Sequence, residues 1–445
     1  MKKVSVIAAA VAATIAAGSA FAEDKVNQGW QVNGYGHLLY NVGESLAVDE
    51  TWKHRDGYRA AGAAFSANPN QVEFTVTRGD NYDNGAWSKY VLKTEYGNNE
   101  DNPSFSNSRG FYGSSSGSEG FGESGQLEFK EAYVELGDLS FFKEGTSIWA
   151  GKRFLNRQAG IITKEFWKQS SGVGAGVQYN NMGLAVVSVD PGVSYDGKKG
   201  ELNDGDSTTM TSVDAYVYGI EALGGRFDFD VKVMTRSNID DDNKATWNGG
   251  VKADSGFGAA ITYSRDYYGF DGWSLTAVTY GQDLGAIKGV NFGQWSNMTE
   301  GDESIFVTSY GVANVTDKLQ IGTELVYWDI SNDDINDVWG SKDGVTRAFF
   351  GVTPSYKVNE NFRMEAVLTY GREMLGEEGT WGQDKNTNFY TATLAPVFTV
   401  NADYFGRPQI KPYIAYMTAS DDNYAWQSDS KGNDTRFGVE AEIWF

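Results

Sequence analysis

Phe437-Gly438-Val439-Glu440-Ala441-Glu442-Ile443-Trp444-Phe445 closes the chain, and its apolar residues fall at every odd position. A period of two belongs to a β-strand with one apolar and one polar face. Trp444 shares its face with Gly438, Glu440 and Glu442, so this aromatic sits on the polar side while Val439, Ala441, Ile443 and Phe445 form the other.

The same alternation recurs upstream, most plainly in Phe227-Asp228-Phe229-Asp230-Val231-Lys232-Val233. Further strands are expected over 31–40, 126–136, 147–154, 183–190, 214–223, 273–280, 304–312, 320–328, 347–358, 363–370, 389–400 and 411–418. Alternation alone fits a soluble sandwich as well as a membrane barrel, because each has strands with one apolar face. The two ends of the chain favour the barrel. Lys2 and Lys3 precede an apolar, small-residue run that closes with Ala20-Phe21-Ala22, the pattern of a secretory signal peptide over 1–22 with 23–445 as the mature domain. The terminal aromatic on a final strand resembles the sorting signal of bacterial outer-membrane proteins.

Past the leader, no run approaches the ~20 apolar residues of a membrane helix, so a spanning domain must be a closed barrel. The chain has no cysteine, which removes disulfides and thiolate chemistry, and the absence suits an exported bacterial protein. A formal net charge of −22 argues against nucleic acid as a partner. Acidic stretches such as Asp240–Asp242 and Ser331–Asp337 read as solvated loops before they read as cation sites. His37 and His54 are the only histidines, neither in a catalytic motif, and nothing calls for a cofactor or a metal.

Short turns such as Val315-Thr316-Asp317-Lys318 and Val358-Asn359-Glu360-Asn361 alternate with longer polar insertions, including the Gly/Ser-rich stretch 104–125. Short turns at one end and long loops at the other is the outer-membrane pattern. At about ten residues per strand plus connections, the mature chain holds roughly 16 to 18 strands, a size that leaves an aqueous channel. There is no internal repeat or domain boundary.

Glu131-Ala132-Tyr133-Val134, then Ser147-Ile148-Trp149-Ala150-Gly151-Lys152-Arg153-Phe154, Arg157 and Ser171-Gly172-Val173-Gly174-Ala175-Gly176 together resemble the maltoporin family. Gly34-Tyr35-Gly36 and Ala441-Glu442-Ile443-Trp444-Phe445 are similar to that family's first and last strands; between about 180 and 430 the match is patchy. The resemblance implies an all-β fold, a transmembrane antiparallel barrel of 18 strands. It further implies a homotrimer in outer-membrane lipid and a third loop, roughly Arg157–Gly172, folded into the channel. It implies sugar transport, with oligosaccharides moving along a lane of aromatic side chains flanked by charges. A sugar has apolar C–H faces and a hydroxylated rim, so ring stacking and charge-assisted hydrogen bonds can replace its water stepwise.

Carried onto this sequence, the lane comprises Tyr35, Phe270 and Trp444. Tyr35 shares a face with Gln31, Asn33 and His37, and Phe270 is in phase with Gly272, Ser274 and Thr276, a face expected to line the lumen. Phe349 stands two residues after Arg347, where the family has an aromatic; the second-strand aromatic falls at Glu73 or Phe74, and the second loop offers Phe105, Phe111 or Tyr112. At the constriction, Lys130 and Arg157 match basic residues, Lys164 or Glu165 the family's acid, and Phe166 its narrowing aromatic. Lys130 shares parity with apolar Ala132 and Val134, so it reaches the lumen only if a bulge intervenes. The competing function is a general diffusion porin with an acidic lumen, which needs no lumen-facing rings. An outer-membrane enzyme and a secreted lectin fit less well.

Overall fold

The computed structural model describes residues 26–43, 70–97, 126–189, 209–237, 250–293, 295–296, 298–332, 341, 344–375, 386–420 and 433–445. The expected signal peptide 1–22, His54, the second-loop candidates Phe105, Phe111 and Tyr112, Asp240–Asp242 and most of Ser331–Asp337 lie outside these residues.

The strands are β1 Gly29–Gly43, β2 Asn70–Asn81, β3 Trp87–Gly97, β4 Gln126–Gly137, β5 Thr146–Ala159, β6 Phe166–Tyr179, β7 Met182–Val189, β8 Thr209–Ala222, β9 Gly225–Ser237 and β10 Ser255–Tyr267. They continue with β11 Phe270–Asp283, β12 Asn291–Phe292, β13 Glu303–Asn314, β14 Leu319–Ser331, β15 Val345–Asn359, β16 Phe362–Leu375, β17 Asn386–Thr399, β18 Gln409–Ala419 and β19 Asn433–Trp444. Consecutive wall strands pair antiparallel, and β11 bonds directly to β13 (Thr276↔Ser309). The last strand closes on the first, with Tyr35 opposite Trp444 and His37 opposite Glu442. The two-residue β12 lies outside this wall and pairs in parallel with β6. Among the described residues the wall is therefore a closed antiparallel barrel of eighteen strands, β1–β11 and β13–β19, and closure leaves no unpaired edge.

The alternation sets the faces. On β9, Asp230, Lys232, Met234 and Arg236 are buried while Phe229, Val231 and Val233 are exposed; on β19, Glu440 and Glu442 are buried while Phe437, Val439 and Ile443 are exposed. Apolar side chains thus coat the outside and charged ones point in, the inverse of a soluble core. Two-residue turns close β6–β7, β8–β9, β10–β11 and β15–β16 at one end, where Leu223-Gly224 and Tyr268-Gly269 hold positive φ at both positions as tight hairpins require. The same end also carries the eight-residue β4–β5 and nine-residue β17–β18 connections, and the longest connections, such as those after β1, β3 and β7, join strands at the other end.

Strands β2, β3, β6 and β10 are not among those expected from the sequence, and for β3 and β6 the reason is local. In β3 the run Tyr90-Val91-Leu92 masks the period although Val91 is buried and its neighbours are exposed. The first half of β6 leaves the wall and is buried on all sides, so it has no alternation to read.

Candidate functional site

The expected inward third loop is a hairpin. β5 and β6 run past the wall and stay paired to each other, Leu155↔Ser170, Gln158↔Lys168 and Ala159↔Phe166, with register shifts between Leu155 and Ala159 that turn the pair into the lumen. Two sets of contacts hold it there. At its tip, Glu324 of β14 accepts bonds from the backbone N–H groups of Ile162 (2.5 Å) and Thr163 (3.1 Å) and from the Thr163 hydroxyl (2.5 Å). At its flank, Lys168 reaches Asp230 (2.5 Å) and the Ser170 hydroxyl donates to Asp214 (2.5 Å), which also takes Lys232 (2.5 Å). Buried charges survive only when so paired. Trp167, 1% exposed, stacks on Phe306 of β13.

A second segment folds in beside it. Residues 284–293 carry β12 onto the free edge of the hairpin, Asn291↔Gln169 and Phe292↔Ser170, and Lys288 bonds Glu165 at the hairpin tip. Together the two segments pack against the lumen side of β8 to β15, and the passage we read from this runs on the side where the hairpin's cations face the carboxylates of β2–β4 and β19.

That passage has basic groups facing acids. Arg157 of the hairpin lies flat over the Phe166 ring (3.6 Å) and within electrostatic reach of Glu73, Glu95 and Glu131 on β2, β3 and β4. Lys164, in left-handed backbone (φ 55°) at the tip, acts on Glu440 and Glu442 of β19. Lys130 does reach the lumen: between Lys93↔Glu131 and Thr94↔Phe129 the register shifts by one, and this bulge buries Lys130 beside Glu95 (3.9 Å). Lys93 pairs with Glu73 (2.6 Å) and Lys411 with Glu440 (3.1 Å).

Tyr35 and Trp444 stand side by side on this lumen face, their ring centroids 6.5 Å apart. The other expected aromatics do not join them. Phe74 lies on the outer face, edge-on to Phe445 (5.8 Å), because it pairs with Gly34 while its neighbour Glu73, opposite Tyr35, takes the inward position. Phe270 is corrected likewise. Its phase with Ser274 and Thr276 holds, but that face is the outer one: Leu275 and Ala277 pair with the buried Tyr310 and Thr308 of β13, whereas Thr276 pairs with and bonds Ser309 on the outside, and Ser274, buried as well, donates its hydroxyl to the Asp266 carbonyl at the turn. Phe270 is 73% exposed at the short-turn rim. Phe349 points inward yet is 3% exposed, packed with Ile162 and Trp167 under the hairpin, and Arg347 pairs with Glu373 (2.8 Å).

Sequence reasoning missed the segment 400–408 between β17 and β18, which folds into the lumen from the short-turn end. Tyr404 donates its N–H to Gln320 (2.7 Å) and packs on Gly322 of β14; Phe405 meets Trp273 (6.2 Å). Arg407 donates to Glu442 (2.6 Å) and lies over the Trp444 ring (4.9 Å). The carboxylates of Glu365 and Glu440 also lie within electrostatic reach of its charge. The one signal was length: its nine residues exceed every other connection at that end, where several strands are joined by two.

A closed barrel with an apolar exterior, a charged lumen and inward-folded segments that narrow it is a porin, a channel and not an enzyme. A family model described as LamB porin matches residues 68–445. The chain belongs to the LamB porin family, whose members are bacterial outer-membrane proteins. Relatives described as maltoporin, from Vibrio cholerae serotype O1 strains, are 26% identical over 470 residues, spanning all of this chain and 99–100% of theirs. Among solved structures, an anion-selective porin from Comamonas acidovorans is 11% identical with a TM-score of 0.44, and the outer-membrane protein OmpT of Vibrio cholerae is 11% identical with a TM-score of 0.41. Each aligns over 94% of this chain and all of its own.

Proposed function

We propose that the channel carries sugars by facilitated diffusion, maltodextrin-like oligosaccharides foremost, with Tyr35 and Trp444 as the aromatic surface and Arg157, Lys164, Lys130, Glu165 and Phe166 framing the narrow point. The adjacent Tyr35 and Trp444 rings between basic and acidic rows carry this reading. Rings take the C–H faces of a sugar, and paired charges exchange partners with its hydroxyls. The maltoporin relatives support the substrate class. Assembly as a homotrimer, implied by the family resemblance, belongs to the same proposal, as does removal of residues 1–22 on export.

A general diffusion porin is the second reading. It is favoured by the positions of Phe74 and Phe270 outside the lumen and by the burial of Phe349, which leave a short lane. Swelling of proteoliposomes separates the two. A sugar channel admits maltose and maltotriose faster than a non-sugar solute of equal size, whereas a general porin ranks solutes by size alone.

A further inference from the structure

The segment 400–408 does more than join two strands. It crosses the inner wall beneath β16 and β15 to β14, anchored by Ala402 N–H on the Glu360 carbonyl (3.0 Å) and Tyr404 N–H on Gln320 (2.7 Å). Gln320, Gly322 and Glu324 are successive lumen-facing positions of β14. The first two hold this segment and the third holds the hairpin tip, so the two inward segments are stacked about 7 Å apart along the strand.

Arg407 is fixed at the open side of this lower segment. Its Nε donates to Glu442 (2.6 Å) and its Nη1 to the Gly406 carbonyl (3.0 Å), which set the guanidinium over Trp444. Gln409 also donates to Glu442 (3.0 Å). A planar guanidinium on an indole face uses the same surface that a sugar ring would use. We propose that segment 400–408 forms a second narrow point in series with the hairpin and that Arg407 is its specificity-determining residue, a cover on the Trp444 ring that a passing sugar displaces. The exchange suits a neutral polyhydroxylated solute: as the guanidinium slides off, hydroxyls take over bonds at Glu442 and Arg407 while the ring accepts the C–H face. Small ions pass without displacing it. The inference rests on the sugar-channel reading above.

Planar-bilayer recordings on the full-length channel, with Arg407→Gln and Arg407→Ala, test it in two arms. Without sugar, each variant should conduct more than wild type, because the lower narrow point is wider. With maltotriose, each should be half-blocked at a concentration about two- to tenfold lower, since no cation–π contact is broken first. Arg407→Gln keeps a donor for Glu442 and serves if the Ala variant assembles poorly. In a Trp444→Ala background the Arg407 effect on block should vanish, which a merely structural role would not produce. If wild type is blocked by maltotriose and both variants match it in conductance and half-blocking concentration, or are blocked less well, the cover is overturned and the sugar channel stands. If wild type shows no block at all, the sugar reading fails and the cover falls with it.

Discussion

Thr163 donates its backbone N–H and its hydroxyl to the Glu324 carboxylate, 161 positions further along the chain, and this contact pins the hairpin tip to the far wall of the barrel. The narrowing of the channel therefore depends on a carboxylate that sequence reading did not single out.

Glu324→Ala should release the tip. A hydrogen bond contributes about 0.5–1.5 kcal/mol net, and three are lost at once with their donors left buried. Single-channel records should show higher and noisier conductance, while the barrel remains resistant to unfolding in detergent. Unchanged, quiet conductance would mean that the Lys168–Asp230 and Ser170–Asp214 contacts alone hold the hairpin.

Much of this was legible beforehand. Strict alternation in β9 and β19 tied the polar face to the lumen, and the placement of Tyr35 and Trp444 followed from parity. Phe270 shows the limit: phase along one strand was right, but β11 has Ser274 and Thr276 on its outer face, so polarity pointed the wrong way. Only the register with β13 reveals which face is which. Lys130 failed parity for a different reason, a bulge that sequence alone could only allow for. The contacts of Glu324, Lys288 and Arg407 join segments far apart in the chain and leave no local signal.

Ion selectivity reads the charge rows. Arg157→Ala and Lys164→Ala each remove a cation that faces wall carboxylates, in a confined site where fixed charge acts strongly. Reversal potentials in a salt gradient should shift toward cation selectivity for both, and further for the pair. No shift would place the ion-selective narrow point elsewhere.

The outer aromatics make a contrasting forecast. Phe74→Ala removes an edge-on contact with Phe445 beside the strand closure, about 0.5–1.5 kcal/mol beyond lost area. It should lower the temperature at which the barrel unfolds on a denaturing gel, with sugar block unaltered. Phe270→Ala should alter neither. Weakened block in either variant would return that residue to the lumen.

The central claim is tested most directly by sugar block of the ion current in wild type, Tyr35→Ala, Trp444→Ala and the double variant. One ring contact contributes on the order of 1 kcal/mol, so each single change should raise the half-blocking maltotriose concentration by up to about tenfold. The open-channel conductance should be equal or higher, and the double variant should be blocked least. A wild-type current indifferent to millimolar sugar, or a double variant blocked as well as wild type, would contradict the aromatic-lane account and leave a general diffusion porin.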